Sequence, residues 1–156
     1  MFDLALASGS ALMPSGLFRS FRYGGPDERN YVRQVFQLAH KKAAKVHVLK
    51  NDGTPCGFIA LSVGDYNNVP SIKIDYLFTS VPFRKQTYPE LGEPPIKISE
   101  YLIGQALLMA ADIATKVPIR YIALQLATDR HEALYCPHGF IRTEGTNWMS
   151  QIIPSV

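Results

Sequence analysis

The feature that most restricts the fold is a long apolar helix that the sequence predicts between two strands. Apolar side chains recur at helical spacing over residues 97–116, KISEYLIGQALLMAADIATK. Residues 71–81, SIKIDYLFTSV, predict a strand before this helix, and residues 120–128, RYIALQLAT, predict a buried strand after it. This order of elements is typical of a mixed sheet with helices packed against it.

The remaining segments extend this pattern. The sequence predicts an amphipathic helix at 27–42, a hairpin at 45–63, a short helix at 129–135, and final strands at 140–145 and 147–153. In the short helix, Asp129 and Glu132 have the spacing of a capping box. Residues 1–25 give no clear pattern. We therefore expect an α/β (α+β mixed sheet) domain, with a central mixed β-sheet, helices on both faces, and all of 1–156 in one domain.

Composition narrows the class of protein. A chain of 156 residues, 47% hydrophobic, can bury one core without disulfides or metal. Its net charge of +3 is too weak to argue for nucleic-acid binding. Cys56 and Cys136 lie far apart, which predicts neither a disulfide framework nor a metal site and favours a reducing cytoplasm. The apolar run from Leu4 to Met13 is too short and too interrupted for a signal peptide or a membrane span, so we expect no membrane partner.

Residues 133–140, ALYCPHGF, combine a phenol, a thiol and an imidazole. A Cys136 nucleophile with His138 as its base is one interpretation. Residues two apart on a helix face away from each other, and Pro137 also opposes their convergence. We therefore expect a buried, unreactive thiol. His138 is interpreted as a core or helix-terminal histidine, with contact to a ligand as the alternative.

The same stretch resembles a motif of the GCN5-related N-acetyltransferase (GNAT) superfamily. Its members typically carry Phe-Tyr-x-x-x-Gly-Phe here, and residues 134–140, LYCPHGF, match with Leu in first place. Upstream, IDYLFTSVPFR resembles the central strand of the family, and GQALLMAADIA resembles the helix that follows its pyrophosphate loop. The likeness covers roughly residues 21–153, in the family's order of elements.

The resemblance implies acetyl-CoA as cosubstrate and a primary amine as acceptor. It implies that the backbone of Leu77, Phe78 and Thr79, at the end of the central strand, binds the thioester carbonyl. It also implies that Tyr135 protonates the departing thiolate, since a phenol with an ordinary pKa of about 10 is protonated at neutral pH. The alternative for Tyr135 is a core aromatic residue that anchors its helix.

A general base for the amine is less well marked. Candidates are Asp75, Tyr76, Glu100 and a chain of water molecules. Asp75 is the preferred choice because it is expected on the opposite face of the strand from Tyr76, just before the carbonyl-binding segment. A solvated carboxylate at a strand edge is the alternative interpretation.

The loop before the long helix departs from the family. GNAT members hold the CoA pyrophosphate with Arg/Gln-x-x-Gly-x-Gly/Ala, whereas Arg84 and Gly104, the residues that fit its two ends, lie about twenty positions apart. Either the helix start near Ser99 still receives the phosphates while KQTYPELGEPPIK forms a flap, or CoA binding is weakened or lost. Under the first alternative the phosphate partners include Arg84, Lys85, Ser99 and Gly104, with Lys97 nearby. Ser99 is also expected to cap the helix.

A narrower likeness points to the toxin-like branch of the superfamily. Residues 21–32, FRYGGPDERNYV, are similar to its opening Phe-x-Cys-Gly-x-x-x-Leu-x-x-Phe-Leu, with Tyr23 in place of Cys and Glu28 in place of Leu. In that branch the acceptor is often the amine of an aminoacyl-tRNA, which makes tRNA a candidate partner. The basic aromatic run FRSFRYGG contacts such an acceptor in one interpretation and is a solvated face in the other. The oligomeric state stays open, with a homodimer as one candidate. A non-catalytic GNAT-fold binding protein is the other alternative.

Overall fold

The computed structural model describes residues 1–7, 16–41 and 43–153. In chain order its elements are β1 (Phe2–Ala7), α1 (Gly16–Ser20), α2 (Pro26–His40), β2 (Lys45–Asn51), β3 (Thr54–Tyr66), β4 (Val69–Thr79), α3 (Ile98–Ala114), β5 (Tyr121–Gln125), α4 (Glu132–Tyr135), β6 (Ile141–Arg142) and β7 (Trp148–Ile152). Short 3-10 turns occur at Val81–Phe83, Asp129–His131 and Cys136–His138.

The strands form one sheet in the order β1-β2-β3-β4-β5-β7-β6. β4 and β5 pair in parallel, with Ile72 opposite Ile122, whereas β5 and β7 pair antiparallel. A parallel pair needs a long crossover connection, and the chain between β4 and β5 contains α3. The predicted mixed sheet is therefore confirmed.

Tight turns explain why the central strands were predictable. Asp52 and Gly53 join β2 to β3, and Asn67 and Asn68 join β3 to β4. All four residues have positive φ, from 49° to 85°, which the type I′ hairpin turn requires and which Asn, Asp and Gly tolerate.

The N-terminal part of the sheet was not predicted. β1 pairs antiparallel with β2, with Leu4 opposite Leu49, and so adds an edge strand before the first predicted element. Its six residues carry no turn signal, so β2 is needed to define it. Residues 8–13 of the Leu4–Met13 run, and Lys42 at the end of the first predicted helix, lie outside the described residues.

The capping box predicted for the short helix is wrong. Thr128 precedes the 3-10 turn that begins at Asp129, and His131 precedes the helix that begins at Glu132. Neither side chain makes a capping hydrogen bond. Instead, Arg142 on β6 binds both carboxylates, Asp129 at 2.9 Å and Glu132 at 3.3 Å. Both carboxylates are therefore paired with Arg142. The local spacing of Asp129 and Glu132 could not predict a partner that lies on β6.

The chain divides into two compact units. The first comprises Met1–Ala60 and Tyr76–Leu102. Its core joins α1 and α2 to β2, β3 and β4 around aromatic rings. The ring centroids of Phe58 and Phe78 lie 5.5 Å apart, and those of Phe36 and Phe58 lie 5.1 Å apart. Burial of this many large side chains supplies most of the stability expected for such a unit.

The second unit comprises Leu61–Asp75 and Ile103–Val156. Its buried side chains include Ile72 and Ile74 of β4, Ile122 and Leu124 of β5, and Met149 of β7. A polar pair crosses its sheet, where the Tyr66 hydroxyl and Thr143 Oγ1 lie 2.6 Å apart.

Two kinds of feature are absent from residues 1–7, 16–41 and 43–153. None of the helices there is both long and apolar enough to cross a membrane. No group of three or more His, Cys, Asp or Glu side chains there could hold a metal ion.

Candidate active site

Tyr135 is the last residue of α4, in the second unit. It is only 8% exposed, and its ring meets that of Phe140 edge-on at 5.7 Å. A 3-10 turn follows it and ends at Gly139, whose φ of 92° favours glycine. The His138 carbonyl accepts a hydrogen bond of 2.8 Å from Gln151 of β7. The Tyr-x-x-x-Gly-Phe stretch therefore forms a fixed turn that holds the phenol.

The expectation of a buried thiol next to Tyr135 is wrong. Cys136 is exposed, whereas Cys56 is buried. Cys136 begins the 3-10 turn that contains Pro137, and the turn directs its side chain outward. Burial had been inferred only as the alternative to a Cys136–His138 pair, and no apolar pattern in the sequence supported it.

Asp75 lies near the middle of β4, in the second unit. Its Oδ1 accepts a hydrogen bond of 3.0 Å from the Ser62 hydroxyl on β3. Its Oδ2 is buried and has no hydrogen-bond partner among the described residues. Burial raises the pKa of this carboxyl above its usual range, and the Ser62 hydrogen bond and the Lys73 charge offset part of the rise. A carboxylate in these surroundings is a stronger base than a solvated one.

The surroundings of the other base candidates differ. Burial and the Glu28 carboxylate raise the pKa of Tyr76 to about 12, so its phenol stays protonated at neutral pH. Glu100 accepts a hydrogen bond of 3.2 Å from the backbone N–H of Lys97 at the start of α3. Tyr76 is therefore a poorer base for an amine than Asp75, and Glu100 is already used at the helix start.

The end of β4, with Leu77, Phe78 and Thr79, belongs to the first unit. β3 approaches it closely at Gly57, where an added Cβ would lie 2.4 Å from the Phe78 carbonyl oxygen and 3.4 Å from Ile98 of α3. The next N–H, of Ser80, donates to the Cys56 carbonyl at 2.8 Å. The backbone at this strand end is thus held by β3, and only glycine fits at Gly57.

Arg84 and Lys85 follow this strand and differ in their contacts. The Arg84 Nε donates to the Thr79 carbonyl at 2.6 Å, and its Nη2 forms an ion pair with Glu28 of α2. Lys85 is exposed and has a φ of 63°. The structure thus links Arg84 to Thr79 and leaves the Lys85 ammonium accessible to solvent.

Ser99 and Gly104 both lie inside α3. The helix begins at Ile98, and the Tyr101 N–H bonds the Lys97 carbonyl at 3.0 Å, so the prediction that Ser99 caps the helix is wrong. Ser99 is in the first turn, where backbone N–H groups have no partner within the helix. Gly104 is in the second turn and belongs to the second unit, and an added Cβ would meet no atom within 4 Å.

The 85–97 segment, predicted as a loop or flap, folds back on itself. Tyr88 bridges to Ile96 through an N–H to carbonyl bond of 2.8 Å. The Tyr88 ring meets that of Phe2 on β1 edge-on at 5.2 Å. These contacts join the segment to the edge strand.

Three residues that shape the candidate site were not predicted from the sequence: Ser62 beside Asp75, Gly57 beside the end of β4, and Glu28 beside Arg84. Ser62 and Gly57 act through neighbouring strands, and pairing between strands is not visible in a local pattern. Glu28 left a signal, since it is an acid where the toxin-like branch has Leu. A charged residue at an apolar position needs a partner, and that partner is Arg84.

No protein-family model matches the sequence, and a search of curated protein sequences finds no match. Solved structures do match. The AtaTR complex bound with acetyl-CoA aligns with a TM-score of 0.76 and 14% identity, covering 97% of this chain and 93% of that chain. The likeness shows that this chain has the GNAT fold.

Two further matches involve AtaT itself. A tyrosine-to-phenylalanine mutant of the AtaT toxin, bound to the C-terminus of the antitoxin AtaR and to acetyl-CoA, aligns with a TM-score of 0.74 and 13% identity, covering 98% of this chain and 94% of that one. AtaT complexed with acetyl-methionyl-tRNAfMet aligns with a TM-score of 0.73 and 14% identity, covering 97% and 95%.

Proposed function

We propose that the protein is an acetyl-CoA-dependent N-acetyltransferase with Tyr135 as its general acid. One observation carries the proposal: the Tyr-x-x-x-Gly-Phe stretch forms a fixed turn in a fold that has been solved with acetyl-CoA. The turn buries Tyr135 against Phe140, which limits the directions in which its hydroxyl can point.

The proposed reaction moves one acetyl group from sulfur to nitrogen. The neutral amine attacks the thioester carbonyl, a C–N bond forms and the C–S bond breaks. The amine gives up a proton to Asp75, and the departing thiolate takes the phenolic proton of Tyr135. Backbone N–H groups in the Leu77–Thr79 segment stabilise the carbonyl oxygen as it gains negative charge.

For the CoA pyrophosphate, we propose the first turn of α3, where the Ser99 N–H has no acceptor within the helix, together with the exposed Lys85 ammonium. We give Arg84 a smaller part in binding phosphate, because Glu28 neutralises its charge and Glu28 and Thr79 already take two of its N–H donors.

As acceptor, we propose the amine of an aminoacyl-tRNA. The similarity of residues 21–32 to the toxin-like branch supports this choice, as does the likeness to AtaT, which has been solved with acetyl-methionyl-tRNAfMet. A toxin of this kind would bind an antitoxin partner, as the AtaT mutant is bound to the C-terminus of the antitoxin AtaR.

The test measures free CoA thiol released from acetyl-CoA in the presence of charged tRNA, with uncharged tRNA as the matched control. We expect release with charged tRNA only, and strong loss of release in Tyr135→Phe. Growth arrest on expression that Tyr135→Phe relieves would support the toxin assignment. Tight binding of acetyl-CoA would favour a non-catalytic binding protein if no CoA thiol is released with either charged tRNA or simple primary amines as acceptor.

A further inference from the structure

The guanidinium of Arg84 makes three contacts, all in the first unit. Its Nε donates to the Thr79 carbonyl at 2.6 Å, its Nη2 pairs with Glu28, and its Cζ lies 5.5 Å from the centre of the Phe78 ring. The Arg84 and Glu28 side chains are only 33% and 26% exposed. Partial burial weakens screening by solvent, so this pair is stronger than a pair on the open surface.

Glu28 is itself held at the start of α2. Its Oε1 accepts the backbone N–H of Gly24 at 2.9 Å. A Cβ at Gly24 would lie 3.0 Å from Arg84 Nη1 and 3.3 Å from Glu28 Oε2. Glycine therefore allows the backbone to close over the ion pair.

The peptide that Arg84 contacts is fixed on both of its sides. Its carbonyl, from Thr79, accepts from Arg84, and its N–H, from Ser80, donates to the Cys56 carbonyl at 2.8 Å. The buried Ser80 hydroxyl accepts the Arg22 N–H at 2.8 Å, which joins the same peptide to the segment before α2. Among these three hydrogen bonds, only the one from Arg84 has a charged side chain as its donor, so a substitution can remove it without changing the backbone.

We propose that Arg84 is a positioning residue, which Glu28 and Gly24 hold in place so that it fixes the peptide between Thr79 and Ser80. The inference rests on the proposed function, because the Leu77–Thr79 segment is the one assigned to the thioester carbonyl. The Glu28 carboxylate neutralises the guanidinium charge, and Glu28 and Thr79 already take two of its five N–H donors, which weakens the attraction of Arg84 for a phosphate. Arg84 thus serves the acetyl group rather than the CoA pyrophosphate.

Two acetyl donors separate these roles. Acetyl-CoA carries the pyrophosphate, and S-acetyl-pantetheine lacks it. For Arg84→Gln we expect kcat to fall by about tenfold to a hundredfold with both donors, because the carbonyl-binding backbone loses its orientation. Glu28→Gln, which removes only the charge, should lower kcat in the same direction with both donors. Lys116→Gln is the control, because it removes an exposed cation that is paired with Asp112. It should leave kcat unchanged with both donors.

The opposite pattern would overturn the proposal. If Arg84 binds phosphate, Arg84→Gln raises KM for acetyl-CoA and leaves turnover of S-acetyl-pantetheine unchanged. Arg84→Lys adds a second comparison. A lysine keeps the charge but cannot reach two acceptors with a fixed fork, so a positioning role predicts that it fails to restore kcat. Full restoration by lysine would contradict the proposal.

A third readout needs no donor and separates this proposal from the proposed function. Thermal unfolding of Arg84→Gln, Glu28→Gln and the double variant forms a double-mutant cycle. We expect the double variant to unfold at about the same temperature as the less stable single variant. Additive shifts would show that the two side chains are not coupled. If the wild-type protein uses neither donor, the proposed function fails, and the cycle alone decides whether Glu28 holds Arg84.

Discussion

At the scale of single residues, the proposed chemistry depends on Tyr135 and Asp75, and their surroundings suit opposite tasks. Tyr135 is packed against Phe140 in a fixed turn, which restricts the orientation of its hydroxyl, the proposed proton donor. Asp75 has one oxygen bonded to Ser62 and one that is buried with no hydrogen-bond partner in the described part of the chain, which strengthens it as a proton acceptor. Both residues were chosen from the sequence, and their catalytic roles stay predictions. Ser62 was not chosen, because it reaches Asp75 from another strand.

Tyr135→Phe tests the acid. The substitution keeps the ring and its packing against Phe140 and removes only the hydroxyl. We expect acetyl transfer to slow by about a hundredfold, since general acid catalysis typically contributes that much, and the affinity for acetyl-CoA to stay nearly constant. Single-turnover rates and equilibrium binding measure the two quantities. An unchanged rate would assign Tyr135 a packing role.

Asp75→Asn tests the base through stability as well as activity. Because burial raises the folded-state pKa, ionised Asp75 opposes folding at pH values above that raised pKa. As the pH falls through it, the folded state binds a proton before the unfolded state does, and wild-type stability recovers. We therefore expect Asp75→Asn to raise the free energy of unfolding at pH 7, by less than at a fully buried site, because solvent screens this partly buried carboxyl. The gain should shrink toward pH 4.

The same shift predicts the pH dependence of the reaction. Wild-type transfer should fall as the pH drops through the raised pKa of Asp75, above the range of an ordinary carboxyl, and Asp75→Asn should be slow at every pH. A variant as active as the wild type, with an unchanged pH profile, would exclude Asp75 as the base.

At the scale of elements, the sequence predicts those whose signals are local and misses those defined by a neighbour. Turn residues such as Asn67 and Asn68 mark the hairpins, and apolar spacing marks α2 and α3. β1 becomes a strand only through pairing with β2, and Arg142 draws Asp129 and Glu132 away from their predicted cap. The close approach of β3 to β4 at Gly57 likewise needs both strands.

Two glycine substitutions measure how tightly the end of β4 is held. Gly57→Ala places a methyl group 2.4 Å from the Phe78 carbonyl oxygen, so we expect it to lower the free energy of unfolding by about 2 to 3 kcal/mol. Gly104→Ala is the matched control. It adds the same methyl group in open space inside a helix and should raise that free energy by about 0.5 to 1 kcal/mol. Denaturant unfolding of both variants gives the comparison, and equal effects would refute the close approach at Gly57.

At the scale of the whole molecule, the mixed sheet was predicted from the order of strands and helices along the chain. A strand, a crossover helix and a second strand require a parallel pair, and β4 and β5 form it. The same fold is reached by AtaT at 13–14% identity, which shows how few side chains the topology requires. The division of the chain into two compact units was not visible in the sequence, because β3, β4 and α3 each continue from one unit into the other.

The central claim is that this chain uses acetyl-CoA although its pyrophosphate loop departs from the GNAT pattern. Calorimetric titration of the purified protein with acetyl-CoA tests that claim most directly. We predict a single site with a dissociation constant in the micromolar range, weakened by Lys85→Gln and nearly unchanged by Tyr135→Phe. A titration in which acetyl-CoA does not bind the folded wild-type protein would contradict the account.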